Sequence, residues 1–154
     1  MQALRAWLKA NPAEGAALMR QNPSYVFFRE LGPEAATAPG PLGAMGAALT
    51  PKRSLAVDRS VWPLGLPIWI DASEPAAMAG LPDRPLRRLM LAQDTGGAIR
   101  GVVRGDVFYG HGPEAAEVSG RMKNPARFWV LLPRAVAQKA LADNGRAAHV
   151  VSGG

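Results

Sequence analysis

Glycine and proline interrupt this chain throughout. Seventeen glycines and fourteen prolines stand among 154 residues. That is more than a helix-rich protein tolerates, because glycine costs backbone entropy and proline removes a hydrogen-bond donor. The pattern favours short strands joined by turns. From Ser54 on, the runs SLAVD, LPIWID, LRRLMLAQ, DVFYG and RFWVLLP have strand length and alternate with turn residues. Between the last two, PEAAEVSG reads as a short helix with Pro113 in its first turn and Gly120 at its end. Five short strands with one small helical crossover predict a compact β-barrel rather than an α/β sheet.

The ends read differently. Leu4, Trp7 and Leu8 recur at helical spacing, and Asn11-Pro12-Ala13-Glu14 has the form of a helix start with Asn11 as cap. SYVFFRE, Ser24 to Glu30, reads as a strand, and residues 31–53 as a loop rich in proline and glycine. RAVAQKALADNG, from Arg134, has helical propensity and ends at Gly145.

A hydrophobic content of 48% with 19% charged residues is that of a globular chain, long enough for one domain with a core. The net charge of +6 and pI of about 10.5 suit a polyanion as partner. Acidic polysaccharide and anionic membrane fit that charge as well as nucleic acid does. Runs of Lys and Arg are lacking, the densest cluster being RPLRR at Arg84 to Arg88, so no nucleic-acid partner is expected. With no cysteine, disulfide scaffolds and thiolate metal sites are excluded. No apolar run of about 18 residues is present to span a membrane, and no signal peptide is visible. The chain opens within amphipathic helix-like sequence, as a fragment of something longer would.

Two histidines, His111 and His149, make no recognisable zinc site, and neither a Walker-type phosphate loop nor a GxSxG elbow occurs. No metal or other cofactor is expected. Asp94-Thr-Gly resembles the tripeptide of aspartic proteases, but those need two copies and the chain has one. The carboxylates remain. Asp58 ends SLAVD, Asp94 ends LMLAQD, and Asp106 opens DVFYG. At strand ends a carboxylate can be half buried, and burial raises its pKa towards that of a usable acid, one able to protonate a glycosidic oxygen. The same three residues also suit plain turns, where aspartate accepts backbone N–H bonds. Spacing alone does not decide between the two.

Longer segments carry a resemblance. QDTGGAIRG followed by RGDVFYGHG, then SGRMK and FWVLLPR, resembles the C-terminal region of the membrane-bound lytic transglycosylase A family, a domain called 3D after three aspartates. Upstream, NPSYVFFRE and GPLGAMGAALTPKRSLAVDRSVWPLGLPIWID follow the same family pattern in order. The resemblance implies a mainly β fold, a six-stranded double-psi β-barrel with short helices. It implies that residues 1–30 are the remnant of an inserted second domain with its connector, and that residues 31–154 are the 3D domain. The barrel's first part and most of the insertion would be missing, leaving the barrel incomplete.

The resemblance further implies cleavage of peptidoglycan glycan strands at the β-1,4 bond between N-acetylmuramic acid and N-acetylglucosamine. The cleavage is non-hydrolytic and leaves 1,6-anhydro-muramyl ends. The three aspartates then fall on Asp58, Asp94 and Asp106, with Asp106 as general acid and later base and the other two in support. Gly96, Gly97, Ala98, Tyr25 and Phe28 are the implied sugar-contacting positions, with Phe27, Trp62 and Trp129 as further candidates; core packing is the alternative for most of these aromatics. Gly101 and Gly105 are expected to leave room for sugar beside Gly96 and Gly97. The family's setting is the periplasm, at the outer membrane and often through a lipid anchor. A truncated module that binds peptidoglycan without cutting it is the alternative.

Overall fold

The computed structural model describes residues 2–24, 27, 30, 32, 38 and 40–143. The chain divides into two compact units, Met1–Thr37 and Ala38–Gly154. In the first, helix α1 (Gln2–Ala10) is followed by α2 (Pro12–Arg20). Pro12 sits where its missing N–H costs nothing, in the first turn of α2. Asn11 does not cap α2 with its side chain as expected. Both its backbone N–H and its Nδ2 donate to the Trp7 carbonyl at 2.9 Å, so it closes α1 instead. At Gly15 an added Cβ would lie 3.0 Å from Leu8 Cδ2, so the lack of a side chain lets the two helices pack closely. The predicted strand SYVFFRE falls mostly outside the described residues.

In the second unit the five predicted strands form, in the predicted places. They are β1 (Ser54–Val57), β2 (Pro67–Glu74), β3 (Arg84–Asp94), β4 (Gly105–Val107) and β5 (Ala126–Val130). Helix α3 (Pro113–Arg121) lies between β4 and β5, and α4 (Arg134–Asp143) follows β5. One sheet has the order β4-β1-β3-β2-β5. β1 runs parallel to β3, and the β1–β4, β2–β3 and β2–β5 pairs are antiparallel. The mainly β expectation holds, as a curled half-barrel. Its sheet has five strands among the described residues rather than six.

Alternation builds the core. Leu55 and Val57 of β1, Ile68 and Ile70 of β2, and Leu86, Met90 and Ala92 of β3 are buried on one face. Each larger one contributes about 1.5–3 kcal/mol by leaving water. The sheet curls far enough for its two edge strands to meet. Gly105 of β4 leaves so little space that an added Cβ would lie 3.1 Å from both Phe128 Cζ of β5 and Leu55 Cδ1. Val118 of α3 is buried as well, and Arg121 ties the end of that helix to the Ala76 carbonyl. No described helix is long and apolar enough to cross a membrane.

Candidate active site

The loop between β3 and β4 carries the aspartate-glycine segment, and β1 holds it down. Thr95 Oγ1 donates to the Val57 carbonyl at 2.9 Å. Asp58, just past β1, is 4% exposed. Its Oδ2 accepts the Gly101 N–H at 2.7 Å, and its Oδ1 accepts the Ser60 N–H at 3.0 Å and hydroxyl at 2.7 Å. The Gly101 bond first, then those from Ser60 and the nearby Arg100, hold the Asp58 carboxyl below the usual carboxylate range against the opposing effect of burial. A carboxylate so engaged accepts hydrogen bonds and does not donate a proton. Asp58 is a staple for the loop. Trp62 is a second staple, its indole Nε1 donating to the Val102 carbonyl at 2.7 Å while its ring packs on the core.

Asp94 and Asp106 are brought together by β1. Ala56 registers with Asp94 across the parallel pair and with Asp106 across the antiparallel pair. Residues opposite one another on neighbouring strands share a face, and both aspartates line one cavity of about 340 Å³ with Ala56, Thr95, Gly96 and Ile99. Ala56 on β1 stands between the two acids in the sheet. Asp94 is half-buried and its Oδ1 accepts the Ala44 N–H at 3.0 Å. The Ala44 segment approaches β3 closely enough that a Cβ at Gly43 would lie 2.6 Å from the Gln93 carbonyl oxygen.

Asp106 differs from the expectation of a half-buried acid. Its side chain is 56% exposed, and Arg104 NH2 lies 3.2 Å from its Oδ1. The short strand β4 puts it at the sheet edge, where solvent reaches it. It also lines a second cavity of about 410 Å³ on the α3 side, with Arg104, Tyr109, Ser119, Lys123 and Asn124.

The remaining sequence-derived positions separate. Gly96 lines the aspartate cavity. Gly97 and Ala98 form the exposed tip of the turn closed by the Ile99 N–H and Gly96 carbonyl, and a Cβ at Gly97 would meet nothing. Gly105 is no opening for sugar, because Leu55 and Phe128 fill the space beside it. Gly101 serves backbone geometry, with φ of +111°. Trp129 lies outside both cavities, paired with Trp69 on the other face of the sheet, where Arg127 sits 5.4 Å above its ring. Tyr25 and Phe28 lie outside the described residues; Phe27 is exposed.

Sequence reasoning missed a buried network beside the second cavity. Glu74, at the end of β2, is 6% exposed. Its Oε1 meets Lys52 Nζ at 3.1 Å and Arg84 NH2 at 3.3 Å, and its Oε2 accepts the Tyr109 hydroxyl at 2.9 Å. Burial first, then that bond to Glu74, pushes the Tyr109 phenol above its ordinary value. These partners are far apart in sequence, so no local motif announces them. Arg104 was within reach of the motif, two residues before Asp106. Among the described residues no cluster of three or more His, Cys, Asp and Glu side chains is arranged to hold a metal ion.

Known proteins resemble this chain in both of its units. The model of the 3D domain matches residues 53–132, and that of the MltA specific insert domain matches residues 1–29. The chain is 36% identical over 132 residues to the membrane-bound lytic murein transglycosylase A of Vibrio cholerae serotype O1, covering 85% of this chain and 34% of that protein. It thus spans about a third of the length of the curated relatives it matches. The crystal structure of a membrane-bound lytic murein transglycosylase from Agrobacterium tumefaciens superposes with a TM-score of 0.72 at 43% identity, over 90% of this chain and 36% of that one. Escherichia coli MltA with bound chitohexaose superposes with a TM-score of 0.70 at 33% identity, over 85% of this chain and 38% of that one. The chain belongs to the 3D-domain family, in its lytic murein transglycosylase A group.

Proposed function

We propose that this chain carries the catalytic region of a peptidoglycan lytic transglycosylase. One observation carries the reading: Asp94 and Asp106 flank Ala56 and face one cavity at a sheet edge open to a polymer. Asp106 is the acid. Its proton passes to the glycosidic oxygen, the bond from the muramyl C1 to that oxygen breaks, and N-acetylglucosamine leaves with a free hydroxyl. The muramyl C6 hydroxyl attacks C1 and gives its proton to the Asp106 carboxylate, which restores the acid. No water is consumed and the product is the 1,6-anhydro sugar. An ordinary glycosidase needs a second carboxylate as nucleophile or base; here the substrate supplies the nucleophile.

Asp94 fixes the cavity's far side through Ala44, and Asp58 positions the loop between β3 and β4. Gly96 admits the sugar, with Gly97 and Ala98 at the rim and Tyr25 and Phe28 as further contacts. Residues 1–30 correspond to the inserted domain with its connector and residues 31–154 to the 3D domain, whose complete form is a six-stranded double-psi barrel. The setting is the periplasm at the outer membrane. Digesting purified peptidoglycan in water enriched in heavy oxygen tests the mechanism: new muramyl ends free of the label support it, and labelled reducing ends refute it.

A second reading, a module that binds peptidoglycan without cleaving it, is favoured by one fact. The chain spans 34% of the length of its curated relatives.

A further inference from the structure

We propose that the 410 Å³ cavity on the α3 side of Asp106 is a carboxylate-binding subsite, formed by Arg104 and Lys123, and that filling it frees Asp106 from Arg104. The inference rests on the assignment of Asp106 as the acid. The acid has to reach the glycosidic oxygen, whereas the Arg104 guanidinium lies 3.2 Å from Asp106 Oδ1 and occupies that carboxyl oxygen, so the pair has to open for the sugar to take its place.

It opens easily. Both side chains are more than half exposed, and water screens exposed pairs of this kind so that they contribute little. Arg104 gives one contact to Asp106, while a guanidinium has five N–H donors in a planar fork suited to a carboxylate. What draws Arg104 away is the charge of the cavity itself. Lys123, just past α3, lines the same space and has no ion-pair partner among the described residues. The neighbouring acids do not neutralise it. Glu117 is paired with Arg121 and Glu74 with Lys52 and Arg84, while Asp83, bonded to the Asn124 amide, does not line the cavity. Among the described residues, the charged side chains that line a cavity with Asp106 are Arg104, just before β4, Lys123 in the second cavity, and Asp94 beyond Ala56 in the first. Two cations against one acid in the second cavity leave a positive site, and a concave wall focuses that potential.

The ligand this chemistry selects is a glycan with a carboxylate substituent close to the scissile bond. In peptidoglycan that is a carboxylate of the muramyl peptide stem. A neutral chitin-like glycan offers Arg104 nothing in exchange for Asp106. The same contact thus couples recognition of the substrate's charge to readiness of the acid.

The test measures binding of the chain to labelled glycan strands whose stem carboxylates are free, to the same strands after conversion to amides, and to a neutral chito-oligosaccharide. Wild type is expected to prefer the free carboxylates by about tenfold, the equivalent of ~1.4 kcal/mol. Arg104→Gln combined with Lys123→Gln brings that ratio close to one, whereas Arg87→Gln, which removes an exposed charge held by Asp71 on the other face, leaves it in place. Equal affinity of wild type for the free and amidated strands overturns the subsite, as does a preference that survives the double substitution. A preference lost equally in Arg87→Gln overturns it too, since net charge alone then explains the binding. Failure to bind all three glycans refutes the peptidoglycan reading itself, and the subsite with it.

Discussion

Asp94 and Asp106 belong to strands that are not neighbours in the sheet, and each registers with Ala56 from opposite sides of β1. One strand, β1, therefore spaces the two acids, and its residue between them is a small one, Ala56. A larger side chain at Ala56 would occupy the shared cavity without disturbing the core face, which Leu55 and Val57 fill. Ala56→Leu is expected to lower glycan cleavage by about a hundredfold, the cost of misplacing substrate by about an ångström. Thermal melting of the variant close to wild type would separate a blocked site from a broken fold; full activity would show that the cavity is not where sugar binds.

Asp58 makes stability depend on acid pH. Its folded-state pKa lies below the ordinary 3.8, so the ionised form stabilises the fold above that pH, and the stabilisation is lost as pH falls through the depressed value. Asp71, held low by Arg87 and then Arg127, adds in the same direction. Melting temperature followed from pH 6 downward should drop more steeply below about pH 4 in wild type than in Asp58→Ala. Parallel curves for the two proteins would contradict the staple.

Gly43 is expected to tolerate no side chain. A Cβ there would lie 2.6 Å from the Gln93 carbonyl oxygen and from Leu49 Cδ2, so backbone must move. Gly43→Ala should cost roughly 1–3 kcal/mol in denaturant unfolding. It should also weaken the Ala44 bond to Asp94, and with it cleavage. A variant as stable as wild type would mean that this loop does not pack on β3.

The Tyr109 hydroxyl donates to a buried, charged acceptor, a bond worth about 1.5–3 kcal/mol. Tyr109→Phe should lower unfolding stability by that order while Lys52 and Arg84 still hold Glu74. The raised phenol pKa works in the alkaline range. Its contribution is complete below the ordinary 10.0 and is lost as pH rises above it, because only the unfolded chain then ionises readily. Absorbance titration of the folded protein should show Tyr109 resisting ionisation past pH 10; a normal titration would remove Glu74 as its partner.

The strands were legible because each is a short apolar run bounded by turn residues, and all five formed where SLAVD, LPIWID, LRRLMLAQ, DVFYG and RFWVLLP placed them. Boundaries moved where neighbours decided them. DVFYG shortens to Gly105–Val107; the Phe108 N–H still reaches the Ser54 carbonyl of β1, while the Tyr109 side chain goes to Glu74. The aspartates were legible as a motif, but their environments were not. Whether an aspartate is buried or exposed depends on what folds over it: the Gly101 N–H closes over Asp58, while Asp106 stays 56% exposed at the sheet edge. The purpose of Gly105 was misjudged for a related reason. Its contact partner Phe128 comes from the opposite edge of the sheet, and only the curl brings the two together.

The central claim is that Asp106 performs the proton transfers of a cleavage that ends in an anhydro sugar. Mass spectrometry of purified peptidoglycan treated with this chain, and with Asp106→Asn, measures it directly. The account predicts 1,6-anhydro-muropeptides from wild type and at least about a hundredfold less from Asp106→Asn, the usual scale of a lost general acid. Equal amounts of anhydro product from both proteins, or products bearing only hydrolysed reducing ends, would contradict it.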